Sequence, residues 1–390
     1  MSVTVAEGFV AAGVHCGIKD DSGALDLSLV ATDDALAVPA AAVFTSNRAT
    51  AAPVEVSRTH LLATGGRAAA VVLNSGNANA ATGITGRAHA ERTCALVGEG
   101  LGCAPEEVLV CSTGLIGIPL PFDAIESGIG PLVAARAGGT GAGAAAAQAI
   151  LTTDTVAKEV SVSAEGFTVG GMAKGAAMLA PAMATMLAVL TTDAAVGAAD
   201  LGAALTIAVD RSFNTLTVDG CTSTNDTVIV MASGRRASPP TAALVEALTA
   251  ACRSLAAQMA GDAEGATKVV TVQVTGASSP EHARTAARKV AQSQLVKCSL
   301  YGADAYWGRI VSELGSAGVT FDPDLVRISY GGVAVCVGGM AADHDQAAVA
   351  RHLAQRHVEI TADLGLGAGE ATLLTNDLTP EYIAENMRTS

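Results

Sequence analysis

The sequence predicts an α/β fold of the α+β type, with mixed sheets layered between helices. Three observations point there. Strand-like and helix-like segments alternate along the chain. Several apolar pairs are separated by short polar or Gly-rich turns of the kind that join antiparallel strands. The chain has 390 residues, enough for two packed domains. Half of the residues are hydrophobic and 15% are charged, which excludes a disordered chain. With 23 basic against 37 acidic residues the net charge is −14, so the overall field attracts neither nucleic acid nor an anionic membrane.

The eight cysteines show no C-x-x-C pair and sit among small or apolar neighbours, the pattern of buried thiols in a reducing compartment. The seven histidines lack metal-ligand spacing, so neither a structural nor a catalytic metal is expected. Met1 to Val14 lacks a basic stretch followed by an apolar core, so no signal peptide is predicted. Pro181 and Gly-rich turns interrupt the longest apolar runs, so no membrane span is predicted either. A cytoplasmic protein is the expectation.

Taken in order, Phe9 to Gly17 and Leu25 to Ala31 read as strands, as does Ala41 to Phe44 before the polar turn Thr45 to Arg48. Ala68 to Leu73 is a continuous apolar run, hence a buried strand, and Asn74 to Ala80 reads as a tight turn. Arg87 to Gly98 has helical spacing, with Ala90, Cys94 and Val97 on one face. Val108 to Cys111 is the next buried strand and delivers Ser112, Thr113 and Gly114 into a turn. A Thr-Gly at a strand end sets a hydroxyl beside an unobstructed backbone N–H, which suits an oxyanion, although a plain strand-to-helix turn has the same spacing.

The Gly/Ala tract from Gly138 to Ala149 reads as a loop entering an Ala-rich helix. Val160 and Val162 alternate with serines and return through Phe167 and Val169, a hairpin that ends at Lys174. Beyond it, Thr206 to Val209 and Leu216 to Val218 read as short strands. Thr241 to Ala260 is an amphipathic helix with Leu244, Leu248, Cys252, Leu255 and Met259 on one stripe. Val269 to Val274 is a strand and Pro280 to Gln294 a helix. Val326 to Tyr330 and Val333 to Val337 form a hairpin across Gly331 and Gly332, followed by a helix from His344 to Arg356 and a strand from His357 to Thr361.

The chemistry centres on Lys174 to Asp193. Thr185 is the lone hydroxyl in an apolar run, and Lys174 lies eleven residues upstream. One reading is a core threonine whose hydroxyl bonds a backbone carbonyl. The other is a nucleophile. Threonine needs an adjacent base for that role, and its own freed α-amine can serve once the preceding peptide bond is cut. Ala184 leaves room for the cut.

The string Lys-Gly, a small pair, Met, Leu, Ala-Pro, one residue, Met-Ala-Thr-Met-Leu resembles the self-processing site of the ornithine acetyltransferase family of arginine biosynthesis. Ala176, Ala177 and Ala182 depart from the family's usual residues there. Other strings follow in the family's order. They are Val-Phe-Thr-x-Asn-Arg from Val43, Ser-Thr-Gly-x-Ile-Gly from Ser112, Thr-Thr-Asp-Thr from Thr152, Asp-Gly-x-Thr-Ser-Thr-Asn-Asp-Thr from Asp219, Glu-Gly-Ala-Thr-Lys from Glu264, and the tail from Asn376. Ala305 and Tyr306 replace the family's usual pair near Trp307.

The resemblance implies an α-β-β-α sandwich with a smaller second α/β domain. It implies scission between Ala184 and Thr185, giving segments 1–184 and 185–390. Thr185 would be the nucleophile, and Thr113 with Gly114 would hold the oxyanion. Thr152 (with Thr153 as the alternative), Lys174, Thr185, Glu264, Asn386 and Ser390 would contact substrate. The Asp219 string is read as scaffolding near the site.

The implied reaction passes acetyl from N²-acetyl-L-ornithine to L-glutamate through an acetyl-Thr enzyme. No cofactor is implied; some relatives take acetyl from acetyl-CoA, and no nucleotide-binding motif here decides that use. The two fragments would assemble as α2β2 or higher. A terminal-Thr amidase or aminopeptidase would share the nucleophile but pass the acyl group to water. A non-catalytic metabolite-binding protein would keep its chain intact.

Overall fold

The computed structural model describes residues 1–178 and 186–387. Ala184, Thr185 and Ser390 lie outside the described residues. Two compact units are present, one built from Met1–Asn214 and Cys221–Met259, the other from Thr215–Gly220 and the chain from Ala260 onward.

The first unit opens with strands β1 (Phe9–Val14), β2 (Leu27–Thr32) and β3 (Val38–Phe44), helix α1 (Ala52–Ala63), and strands β4 (Arg67–Ala68) and β5 (Ala70–Asn77). It continues with α2 (Gly83–Leu101), β6 (Val108–Leu115), α3 (Phe122–Ala135), α4 (Thr140–Ala149) and the hairpin β7 (Lys158–Ala164) and β8 (Phe167–Lys174). It closes with β9 (Leu187–Thr192), α5 (Ala198–Asp210), β10 (Thr227–Ala232) and α6 (Thr241–Gly261).

These strands make two mixed sheets, ordered β1-β2-β5-β6 and β4-β3-β10-β9-β8-β7. Phe9, Val30, Val71 and Leu109 of the first sheet meet Met172, Leu187, Val189 and Ile229 of the second in one buried cluster. On the other side of the first sheet, Leu29, Val72 and Val110 pack with Cys94 and Val97 of α2 and Ile129 and Leu132 of α3. Helix α5 packs on β3 and β10 of the second sheet. The unit is thus the α-β-β-α sandwich that the resemblance implies. Strands β9 and β10 pair in parallel, and every residue of both is buried, which explains their unbroken apolar sequences.

Four readings of the sequence are corrected here. Thr206 to Val209 is the last turn of α5, not a strand. Its β-branched residues look strand-like only when separated from the Ala/Leu run before them. Leu216 to Val218 forms no strand, and Leu216 makes an isolated bridge to Leu374. The turns expected at Asn74 and Ser112 begin later, because β5 and β6 stay paired as far as Asn77 and Leu115. Four cysteines are buried, but Cys16 and Cys103 are half-buried and Cys221 and Cys298 are exposed. Cys221 follows the polar Asp219-Gly220 turn, and Cys298 lies on the solvent side of a helix.

In the second unit, β11 (Val269–Ala277) is followed by helices α7 (Pro280–Ala291), α8 (Gln294–Tyr301) and α9 (Gly308–Gly315). Strands β12 (Arg327–Tyr330), β13 (Val333–Val337) and β14 (Met340–Ala341) come next, then α10 (Gln346–Leu353), β15 (His357–Asp363), β16 (Gly369–Asn376) and α11 (Pro380–Asn386). The sheet order is β14-β13-β12-β15-β11-β16. Ala283, Ala287 and Val290 of α7 pack into Val272, Val274 and Leu373 of the sheet. The predicted β12–β13 hairpin turns on Gly331 and Gly332 at φ of 56° and 80°, values that glycine adopts without a Cβ penalty. Among the described residues no helix is long and apolar enough to cross a membrane.

Candidate active site

Lys174 is the last residue of β8 and pairs with Leu187, the first of β9, so the junction at 184–185 lies in the connection between two neighbouring antiparallel strands. Lys174 is 2% exposed. Its Nζ donates to Thr152 Oγ1 at 2.6 Å and to Thr113 Oγ1 at 3.3 Å, and lies 3.7 Å from Asp154 Oδ2. Three of the residues singled out from sequence therefore converge on one ammonium group. Thr152 is half-buried and turned to Lys174, whereas Thr153 is exposed.

Asp154 organises this cluster. Its Oδ1 accepts from Lys158 Nζ at 2.6 Å and from the Gly175 N–H at 2.7 Å, while Oδ2 accepts from the Thr152 N–H at 3.3 Å. Burial alone would raise its pKa. The charges of Lys174 and Lys158 and the bonds from Lys158 and Gly175 outweigh burial and pull it down to about 2. The folded-state pKa lies below the ordinary value of 3.8, so Asp154 contributes stability above about pH 4 and loses it as pH falls toward 2, a term of about 2 kcal/mol. Melting curves of wild type and Asp154→Asn from pH 5 to pH 2 should therefore converge as the pH falls. An unchanged gap across that range would show that the carboxylate is not what the two lysines hold.

Lys19 brings a third cation. Asp26, fully buried, accepts backbone N–H groups from Cys16, Ile18 and Lys19 at 2.6, 2.8 and 3.1 Å, which folds this loop inward. Lys19 Nζ then donates to the carbonyls of Leu25 and Leu151, both at 2.8 Å. Burial lowers its pKa, the charges of Asp26 and Asp154 oppose that shift, and Lys174 adds to it. Lys19, Lys158 and Lys174 set against the carboxylates of Asp26 and Asp154 leave one positive charge in excess in an acidic protein, which suits a carboxylate-bearing ligand.

Thr113 and Gly114 sit on β6 where it closes on β5. Gly114 has a φ of 131°, and a Cβ there would lie 2.3 Å from the Gly76 carbonyl carbon, so only glycine fits. Side-chain amides lock this strand end. Ser112 Oγ donates to Asn74 Oδ1 at 2.5 Å, Asn74 Nδ2 to the Asn77 carbonyl at 2.8 Å, and Asn225 Nδ2 to the carbonyls of Ala78 and Ser112 at 2.6 and 2.9 Å. The Asn-rich segment and the Asp219 string thus brace the Thr-Gly pair.

Asp226, from the same string, is fully buried, and its Oδ1 accepts the Met186 N–H at 2.7 Å. Burial pushes its pKa well up, against the Met186 N–H, the Ser223 hydroxyl and the charge of Lys174. Sequence reasoning singled out none of Lys19, Asp154 and Asp226. A usable signal existed for the two aspartates, since each lies among threonines between apolar segments, where a carboxylate needs partners.

In the second unit, Glu264 is 8% exposed and its Oε2 accepts from Asn386 Nδ2 at 2.7 Å. The loop after Glu264 is built on α11. Thr379 caps that helix by accepting from the Tyr382 N–H at 3.0 Å and donates to the Gly265 carbonyl at 2.7 Å. A Cβ on Gly265 would meet the Tyr382 nitrogen at 2.3 Å. Glu385 titrates high through burial and the charges of Glu264 and Glu381, so carboxylates crowd this corner and suit a cation.

The family model described as ArgJ family matches residues 10–389. The chain is similar to the arginine biosynthesis bifunctional protein ArgJ of Thermobifida fusca, at 46% identity over 389 residues and 99% of both chains. It is similar to the protein of the same name from Mycobacterium tuberculosis, at 47% identity over 391 residues, 98% of this chain and 95% of the relative. A crystal structure of ornithine acetyltransferase from Mycobacterium tuberculosis complexed with ornithine matches at 47% identity and a TM-score of 0.44, covering 46% of this chain and 94% of that one.

Proposed function

This chain belongs to the ArgJ family, and from that membership we propose that it is a self-processing acetyltransferase that moves acetyl from N²-acetyl-L-ornithine to L-glutamate in arginine biosynthesis. The observation that carries the proposal is near-complete coverage by relatives named for arginine biosynthesis, in a chain whose Lys174 Nζ meets Thr152 and Thr113.

In this reading the peptide bond before Thr185 is cut and the freed α-amine becomes the base. An ordinary α-amine titrates near about 7.7 to 8.0, so a useful share is neutral at physiological pH. The Thr185 hydroxyl attacks the acetamide carbonyl, its proton passes to the amine, and Thr113 and Gly114 stabilise the oxyanion. Collapse expels ornithine, which takes the proton, and leaves an acetyl ester on Thr185. Glutamate then attacks that ester, giving N-acetylglutamate and the free enzyme in a ping-pong cycle. Lys174 pairs with the α-carboxylate common to both amino acids. Glu264, with Asn386 and Ser390, serves the ornithine ammonium. No cofactor takes part, and acetyl-CoA is the co-substrate to test as a second acetyl source.

Sheet order accounts for how segments 1–184 and 185–390 would stay together. The C-terminal segment supplies β9 and β10, which lie between β3 and β8 of the N-terminal segment in one sheet. Separation would break the β8–β9 and β3–β10 ladders and open the core. Cleaved protomers would then pair as α2β2 or a larger assembly.

Incubating the protein with N²-acetylornithine, with and without glutamate, tests the transfer. The expected product is N-acetylglutamate, formed only when glutamate is present. Free acetate at the same rate in both reactions would instead assign a hydrolase.

A further inference from the structure

We propose that Lys19 is a positioning residue for amino-acid binding: it fixes Thr152, and through Thr152 the Lys174 ammonium. The proposal rests on the reading above, because it takes Lys174 as the partner of the α-carboxylate.

The peptide unit between Leu151 and Thr152 is gripped from both sides. Its carbonyl accepts from Lys19 Nζ at 2.8 Å, and its N–H donates to Asp154 Oδ2 at 3.3 Å. A peptide unit is planar, so bonds to its two opposite edges fix how it is turned and where the Thr152 Cα lies. The Thr152 hydroxyl then meets Lys174 Nζ at 2.6 Å. Lys19 is itself held, since its Nζ also donates to the Leu25 carbonyl at 2.8 Å and its backbone N–H to Asp26 Oδ2 at 3.1 Å.

The same loop braces the other hydroxyl on Lys174. A Cβ on Gly76 would lie 3.0 Å from Ile18 Cγ2 and 3.4 Å from Lys19 Cγ, and Gly76 in turn backs Gly114, the neighbour of Thr113. Thr113 Oγ1 accepts from Lys174 Nζ at 3.3 Å. One loop, folded inward by Asp26, thus sets Thr113 through packing and Thr152 through the Lys19 ammonium. Burial and the charge of Lys174 both work against that ammonium, while Asp26 and Asp154 favour it. A cation beside the C-terminal end of α4 also complements the helix dipole, so some stability goes with it. Binding separates the two tasks. Truncation to methionine keeps the stem that packs on Gly76 and removes the donor to Leu151, so its effect falls on the Thr152 side.

Full-length wild type, Lys19→Met and Lys19→Arg are titrated with L-ornithine and L-glutamate and assayed for transfer, with melting temperature as the folding control. Lys19→Met is expected to bind both amino acids about 10-fold more weakly, part of the worth of a charge-assisted hydrogen bond. KM should rise by a similar factor while kcat stays within about threefold, because the carboxylate contact is the same before and during the chemistry. Lys19→Arg keeps a cationic donor and should bind within about threefold of wild type. A folded methionine variant that binds both amino acids within about twofold of wild type would overturn the proposal. So would one whose kcat falls while KM holds, or a folded arginine variant as weak as the methionine one. If Lys19→Met does not fold, Lys19→Gln takes its place under the same criteria. A wild type that binds neither amino acid would instead remove the substrate reading, which is a separate outcome.

Discussion

Thr185→Ala is expected to remain one chain of 38.6 kDa and to lose acetyl exchange by about 10⁴-fold or more. The substitution removes both functions ascribed to this residue. No hydroxyl attacks the Ala184 carbonyl, so no α-amine is released. No hydroxyl accepts acetyl, so the ping-pong cycle has no intermediate. Thr185→Ser keeps a hydroxyl and should retain measurable scission, which separates loss of chemistry from loss of structure. Exchange at the wild-type rate in the alanine variant would return Thr185 to the role of an ordinary core threonine.

Lys174→Ala is expected to lower kcat/KM for both acetylornithine and glutamate by about 30- to 1,000-fold, the range for truncating a buried, hydrogen-bonded charge. Lys174 bonds Thr152 and Thr113 at once, so its loss frees both hydroxyls and leaves Asp154 to Lys158. Both substrates carry the α-carboxylate assigned to Lys174, so both should suffer alike. Glu264→Ala should penalise acetylornithine more than glutamate, because only the ornithine side chain brings a cation to Glu264. Steady-state kinetics with each substrate varied in turn make the comparison, with melting temperature as the control for folding. Equal losses from both variants would contradict the division of labour.

Local pattern accounts for much of what the sequence revealed. The β7–β8 hairpin was legible because Val160, Val162, Phe167 and Val169 alternate around a two-residue turn at Glu165 and Gly166. The amphipathic stripe of α6 was equally plain, since Leu244, Leu248, Cys252, Leu255 and Met259 are all buried. Helix α3 went unread because Gly128, Gly130 and Pro131 look like breakers. Gly128 is nevertheless needed, since a Cβ there would lie 2.4 Å from that of Cys16. The site residues carried over by resemblance lie at the ends of strands and loops whose convergence no periodicity encodes. The opposite pKa shifts of Asp154 and Asp226 were likewise hidden. Burial raises both, but at Asp154 the charges of two lysines outweigh it, whereas at Asp226 burial prevails over the bonds it accepts.

The self-cleaving threonine is tested most directly by the intact mass of purified, active wild-type protein. The account predicts two polypeptides, one ending at Ala184 and one beginning at Thr185, that copurify and together transfer acetyl to glutamate. A single polypeptide of 38.6 kDa in material that performs the transfer would contradict it.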